Sequence, residues 1–168
     1  EKGLICIPSG NHDMDRLARV LHGDELKVAF AFLLTMPGAP FIYYGDEIGL
    51  RYVENLVSVE GGYNRTGSRS PMQWNHEVNF GFSNASPEKL YIPTDDKPNS
   101  PTVEDQMKDP NSLYYEVKKL IALRREHSAL LSDGNIEFVS DGADGSPLAY
   151  IRSSADEKIL VVVNPADR

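Results

Sequence analysis

The sequence predicts an α/β fold that gives way to a small antiparallel β region toward its C-terminal end. Two observations carry this: a strand–helix–strand order over residues 4–44, and a change from helical to alternating periodicity after His127. A third is the stretch between them, residues 46–110, dense in Gly, Pro, Asn and Ser. A loop of that length in a compact chain marks a functional segment rather than a passive link.

Leu4 to Pro8 is continuously apolar, the pattern of a short strand buried on both faces. Its single cysteine, Cys6, is accordingly expected as a buried thiol, and it has no partner for an internal disulfide. Asp24 and Glu25 open a helix, where negative charge suits the positive end of the helix dipole. Val28 to Leu34 makes that helix apolar almost all round, and Pro37-Gly38 ends it. Phe41 to Tyr44 reads as a second buried strand, stopped by Gly45-Asp46-Glu47. After the long loop, Asp109-Pro110-Asn111-Ser112 starts another helix, with Asn111 or Ser112 as its cap. Leu113, Val117, Leu120 and Ile121 line one face, while Glu116, Lys119, Arg124 and Arg125 are expected to point away. Ile136 and Phe138, Leu148 and Tyr150, and the run Ile159 to Val163 read as three antiparallel strands. Turns at 141–146 and 154–157 join them.

The chain has 168 residues, 40% apolar and 25% charged, with a net charge of −8. An acidic chain without a basic stripe argues against nucleic-acid binding, and no apolar run approaches the length of a membrane span. A neutral ligand such as a sugar is compatible with this balance. Both ends are expected to be cuts within a longer protein, so compartment is left unassigned.

Asn11-His12-Asp13 follows the first strand, at the strand end where parallel α/β barrels carry their catalytic side chains. An amide, an imidazole and a carboxylate there could bond several hydroxyls of one polyol ring. By itself the tripeptide is weak evidence, and a turn whose Asn or Asp caps the next helix is the simpler reading. His12, Asp13 and Asp15 could also suggest a metal site, but three adjacent ligands without a second cluster seldom complete a coordination shell. His22, His76 and His127 read as surface histidines without partners. In Arg65 to Trp74, two arginines offer forked donors, and Met72, Gln73 and Trp74 offer an apolar wall with a polar edge. That suits a pyranose, and it equally suits a packed loop. Asn64-Arg65-Thr66 and Asn84-Ala85-Ser86 are formal glycosylation sequons, read as chance occurrences.

Taken together, these segments resemble the α-amylase family of glycoside hydrolases. Ser9 to Asp13 followed by Arg16 is similar to the family's segment after the seventh strand of its (β/α)8 TIM barrel. Thr35 to Gly49 resembles the run through the eighth strand. Ser68-Arg69-Ser70-Pro71-Met72-Gln73-Trp74 is similar to a stretch typical of the α-glucosidase and oligo-1,6-glucosidase branch. Asp109 to Arg124 resembles that branch's last barrel helix. The resemblance implies that residues 1–130 are the C-terminal portion of the barrel, strands 7 and 8 with their helices. Residues 131–168 would then begin an all-β C-terminal domain.

The resemblance also implies roles. Asp13 corresponds to the third catalytic carboxylate, His12 and Asn11 to ligands of ring hydroxyls, Arg69 to an arginine near the terminal glucose, and Arg16 to a residue at the site's margin. Family enzymes act with retention, through an Asp nucleophile and a Glu acid/base about 5 Å apart. Neither can be assigned in this chain, which is therefore expected to be inactive alone. Ser70 stands where the branch usually has Thr, and Asn64-Arg65-Thr66-Gly67 departs from its pattern, which leaves substrate choice open. The expected partners are an α-linked oligosaccharide and the remaining N-terminal part of the barrel, or a second copy covering exposed strand edges. No cofactor and no metal is expected. The alternatives are a non-catalytic relative serving as scaffold or binding subunit, a transglycosylase or trehalose-forming isomerase, and a carbohydrate-binding module without barrel heritage.

Overall fold

The computed structural model describes residues 3–56, 66–143 and 147–165. The chain forms two compact units, each drawn from separate stretches. The first comprises Glu1–Ile7, Gly23–Phe41 and Glu116–Arg168, and the second Pro8–His22 and Ile42–Tyr115. No helix among the described residues is long and apolar enough to cross a membrane.

In the first unit, β1 (Cys6–Pro8) pairs with β2 (Ala39–Phe41), and α1 (Asp24–Thr35) lies between them in sequence. Helix α1 carries Asp24 and Glu25 in its first turn, as the sequence indicates, and buries Leu26, Phe30, Leu33 and Leu34. It ends at Met36, just before Pro37-Gly38. Two expectations need correction. Leu4 and Ile5 are 55% and 75% exposed, and Cys6 is exposed rather than a buried thiol. The cause is the small sheet: β1 has one neighbouring strand among the described residues, which cannot cover both faces. The second strand also lies earlier than Phe41 to Tyr44. A turn closed by Asp46 N–H on Tyr43 O, with Gly45 left-handed, takes residues 43–46 out of the strand.

Helix α3 (Leu113–Glu126) buries Leu113, Val117 and Leu120, whereas Ile121 is partly exposed. Arg124, expected to face outward, is buried. Its guanidinium donates to the carbonyls of Leu34, Met36 and Gly38, each at 2.7 Å. These oxygens lie at or just beyond the C-terminal turn of α1, where a helix leaves carbonyls without internal partners. Arg152 donates to Thr35 O in the same turn, and also to Leu131 O, Gly134 O and Asn135 O. Desolvation lowers the pKa of both arginines.

The three alternating segments form an antiparallel sheet of β3 (Asn135–Asp141), β4 (Leu148–Ser153) and β5 (Lys158–Val163), in that order. A register shift interrupts the β3–β4 pairing between Phe138 and Ser140. Part of the turn expected at 141–146 lies outside the described residues. Tyr150 is the sheet's buried centre, packing edge-on against Phe32 and bonding Thr35 Oγ1 at 2.5 Å.

His127 is not the partnerless surface histidine expected: its Nδ1 lies 2.5 Å from Glu157 Oε1. Glu157 also accepts the Ala129 N–H at 3.0 Å. That backbone bond, and then His127, hold the Glu157 carboxyl below the usual glutamate range. A carboxyl with a depressed folded pKa stabilises the fold above its unfolded pKa, and the contribution disappears as pH falls through the folded value. Glu157→Gln is therefore expected to melt earlier than wild type at pH 7, with the gap closing toward pH 3. Thermal melts across that range check it; a gap constant with pH would contradict the assignment.

In the second unit the long stretch is not featureless. Single helical turns at Asp46–Ile48, Thr66–Arg69 and Pro87–Lys89, and a turn at Val78–Gly81 with Asn79 and Phe80 left-handed, precede a short helix, α2 (Val103–Lys108). Thr102 caps α2 by accepting the Asp105 N–H at 3.1 Å. Ile48, Leu50 and Met72 form an apolar cluster, against which Val103 and Tyr114 pack. Fully buried Gln73 organises the rest, donating to Ser100 Oγ and Pro101 O and accepting from Asp95 N–H. Asp95 in turn accepts from Arg51 at 2.6 Å. The stretch is thus held by buried polar bonds more than by regular secondary structure.

Candidate functional site

All the sequence-derived candidates lie in the second unit, on the segment after β1 and on the 66–74 segment. Asn11 Oδ1 accepts the Asp13 N–H at 2.8 Å, an Asx turn that fixes the backbone of the tripeptide. Arg69 Nη2 donates to Asp13 Oδ1 and Arg69 Nε to His12 O, both at 2.9 Å. Ser68 Oγ donates to the same His12 carbonyl at 3.1 Å. His12 Nε2 stands 3.4 Å from Asp13 Oδ2. Asn11, His12, Asp13 and Arg69 thus form one cluster, in which the Asp13 side chain is 44% exposed.

Arg16 is placed differently. It is fully buried, donating from Nη1 to Tyr44 O at 2.7 Å and to Asp46 Oδ1 at 3.2 Å. Its guanidinium carbon lies 4.9 and 4.8 Å from the ring centres of Tyr43 and Tyr44. Ser9 Oγ donates to the other Asp46 oxygen and accepts the Tyr43 N–H. Burial pushes the Asp46 carboxyl up, against the opposing pull of Ser9 and Arg16. Arg16 therefore acts inside the protein, joining the segment after β1 to residues 43–46.

The two tyrosines extend that link to the arginine-bearing segment. Tyr44 OH donates to Ser70 O at 2.7 Å and Tyr43 OH to Ser68 O at 3.3 Å. Burial raises the Tyr43 phenol to about 12, so it remains a donor across the neutral pH range. Glu47, on the next turn, is also raised by burial.

A cavity of about 430 Å³ shares Arg69 with the cluster. Met72 and Trp74 line it, as the sequence suggests, with Glu47, Phe82 and Tyr91. Gln73, expected as the wall's polar edge, faces the buried network instead. Arg65 and Asn64 lie outside the described residues. Sequence reasoning did not single out Glu47, Phe82 or Tyr91, because nothing local distinguishes them from other loop residues. A second cavity, about 620 Å³, includes His76 and Asp105 in its lining. Their side chains pair at 2.7 Å, so His76 too has a partner. Among the described residues no three His, Cys, Asp or Glu side chains converge as metal ligands, and Asp15 is engaged by Arg19 at 2.6 Å.

Residues 2–134 match the catalytic domain of the alpha-amylase family, which is most of the chain. Trehalose synthase of Pimelobacter sp. is 36% identical over 159 residues, covering 89% of this chain and 26% of that protein. Glucan 1,6-alpha-glucosidase of Streptococcus pneumoniae is 33% identical over 197 residues, covering 98% of this chain and 36% of that protein. Among solved structures, an inactive double mutant of MutB in complex with isomaltulose is 25% identical with a TM-score of 0.80. It is matched over 96% of this chain and 34% of its own. Trehalose-6-phosphate hydrolase of Bacillus licheniformis is 28% identical with a TM-score of 0.78, over 95% and 34%. The chain belongs to the alpha-amylase family, whose members are glycosidases or related enzymes. Its structural neighbours are TIM-barrel enzymes of that family, and it spans about a quarter to a third of the length of such relatives.

Proposed function

We propose that these residues form one wall of the active site of a retaining enzyme acting on α-glucosidic bonds, with Asp13 as its transition-state stabiliser. The single observation that carries this reading is the partly exposed carboxylate of Asp13, held by Arg69 beside His12. A carboxylate so placed accepts hydroxyl hydrogen bonds from a glucose ring and favours the positive charge that develops as the glycosidic bond breaks. Arg69 and Asn11 keep it oriented, and His12 offers a second hydroxyl partner. Arg16 supports the site from within, through Asp46 and Tyr44.

In this reading β1 and β2 are the seventh and eighth barrel strands, residues 1–130 belong to the barrel, and 131–168 begin the β domain. The nucleophile and the acid/base would come from polypeptide outside these 168 residues. Assays on a chromogenic α-glucoside, for this chain and for its parent polypeptide, test the reading. The parent is expected to cleave it, Asp13→Asn to slow cleavage by about 10²–10³-fold, and this chain alone to be inactive. A parent that binds sugar without cleaving it points instead to a scaffold or binding subunit.

The trehalose synthases among the relatives, at 36% and 37% identity, favour a second form of the same chemistry, in which the glucosyl group passes to another sugar. Incubating the parent with maltose separates the two: trehalose as main product indicates transfer, glucose indicates hydrolysis.

A further inference from the structure

Three segments of the second unit meet around Asp13, and each is bonded to the other two. Ser9 and Arg16 join residues 9–16 to residues 43–46. Ser9 Oγ donates to Asp46 Oδ2 and accepts the Tyr43 N–H, while Arg16 donates to Tyr44 O and Asp46 Oδ1. Arg69 and Ser68 join the next segment to residues 9–16, with Arg69 Nε and Ser68 Oγ on His12 O and Arg69 Nη2 on Asp13 Oδ1. The third side of the triangle is made by two phenols. Tyr43 OH donates to Ser68 O and Tyr44 OH to Ser70 O, the carbonyls of the two residues next to Arg69.

Neighbouring side chains of a strand point to opposite faces, so a strand would not send Tyr43 and Tyr44 to the same place. The turn at 43–46 removes that constraint. The two rings lie 4.7 Å apart at 60° to one another, and both hydroxyls reach the segment that carries Arg69. Tyr44 is 39% exposed, so solvent is within reach of this residue and burial does not force its 2.7 Å bond to Ser70 O. An arginine side chain has several rotatable bonds, and a fork gripped only at its tip aims a carboxylate poorly unless its base is also fixed. We propose that Tyr43 and Tyr44 are positioning residues for Asp13 that act through Arg69. They hold the carbonyls of its two neighbours, and the guanidinium then keeps the Asp13 carboxylate and the His12 carbonyl in place. Neither tyrosine needs to touch substrate for this. The catalytic consequence rests on the α-glucosidic reading above; the clamp itself does not.

Tyr44→Phe keeps the ring and its packing on Arg16 and removes only the donor. In the parent polypeptide it is expected to lower kcat/KM on an α-glucoside by about three- to fivefold, shared between kcat and KM. In an Arg69→Lys background, where the fork is already lost, the same substitution should cost less than about 1.5-fold. A tyrosine that only stabilised the fold would cost the same factor in both backgrounds, and that result overturns the proposal. So does a Tyr44→Phe enzyme within about 1.5-fold of wild type. Tyr43→Phe, whose bond to Ser68 O is longer at 3.3 Å, should show the same pattern more weakly. Hydrogen exchange in the parent, read by mass spectrometry on the peptide covering residues 9–16, needs no activity. The Asp13 and Met14 N–H groups are both bonded to Asn11 there. Their exchange is expected to quicken about threefold or more in Tyr44→Phe, and no further when Arg69→Lys is added. Unchanged exchange overturns the clamp, whatever the activity. Quickened exchange in a parent without α-glucosidase activity overturns the catalytic reading alone.

Discussion

Arg152→Met is expected to destabilise the first unit by about 3–5 kcal/mol, a large fraction of the stability of a small domain. The side chain is fully buried and donates to four carbonyls, those of Thr35, Leu131, Gly134 and Asn135. Methionine fills nearly the same volume, so the loss is one of hydrogen bonds rather than of packing. Each buried carbonyl left without a donor costs about 1–3 kcal/mol, which would sum higher. The sum is offset because the substitution also removes a desolvated charge, whose burial lowers the Arg152 pKa with the nearby Arg124 adding repulsion. Arg152→Lys should recover little, because one ammonium cannot reach carbonyls arranged for a fork. Denaturant melts give the answer: a change below about 1 kcal/mol would show that water can replace the guanidinium.

Together Arg124 and Arg152 cover the carbonyls of Leu34, Thr35, Met36 and Gly38. This arrangement shows why part of the fold was legible and part was not. The limits of α1 could be read from Asp24, Glu25 and Pro37-Gly38, because a helix end is written in its own neighbours. The unbonded carbonyls it leaves are a property of the backbone and have no sequence signature. Patterning by polarity therefore sent Arg124 outward, when its charge was needed inside. The same limit explains His76 with Asp105 and His127 with Glu157, pairs separated by 29 and 30 residues that no local window joins. Strands β3 to β5 were legible because alternation with period two repeats within a few residues. Helix α2 was missed although Thr102, three residues before Asp105, is a readable cap.

The candidate site divides in the same way. Asn11, His12, Asp13 and Arg69 were found through their resemblance to known segments, and the structure brings them into one cluster. Arg16 was found by the same route but is enclosed by Asp46, Tyr43 and Tyr44. A motif carries identity and order along the chain; it does not carry depth. Glu47, Phe82 and Tyr91 share a cavity only because the 46–110 stretch folds on Gln73 and Asp95, contacts spread over tens of residues.

Asp13→Asn in the parent polypeptide is expected to lower kcat on an α-glucoside by about 10²–10³-fold, while changing KM much less. The substitution keeps the shape of the side chain and its place beside Arg69, but exchanges a carboxylate for a neutral amide. Ground-state hydroxyl bonds are thus largely retained, whereas the negative charge that opposes the developing oxocarbenium is lost. Arg69→Lys provides the contrast. It keeps a positive charge but loses the fork that bonds both Asp13 Oδ1 and His12 O, so Asp13 remains charged and less firmly aimed. Its loss should be smaller, about tenfold, and should fall on kcat and KM together. If Asp13→Asn instead retained kcat within about threefold, the cluster would be a structural turn tied down by an arginine, and the catalytic reading of it would fall.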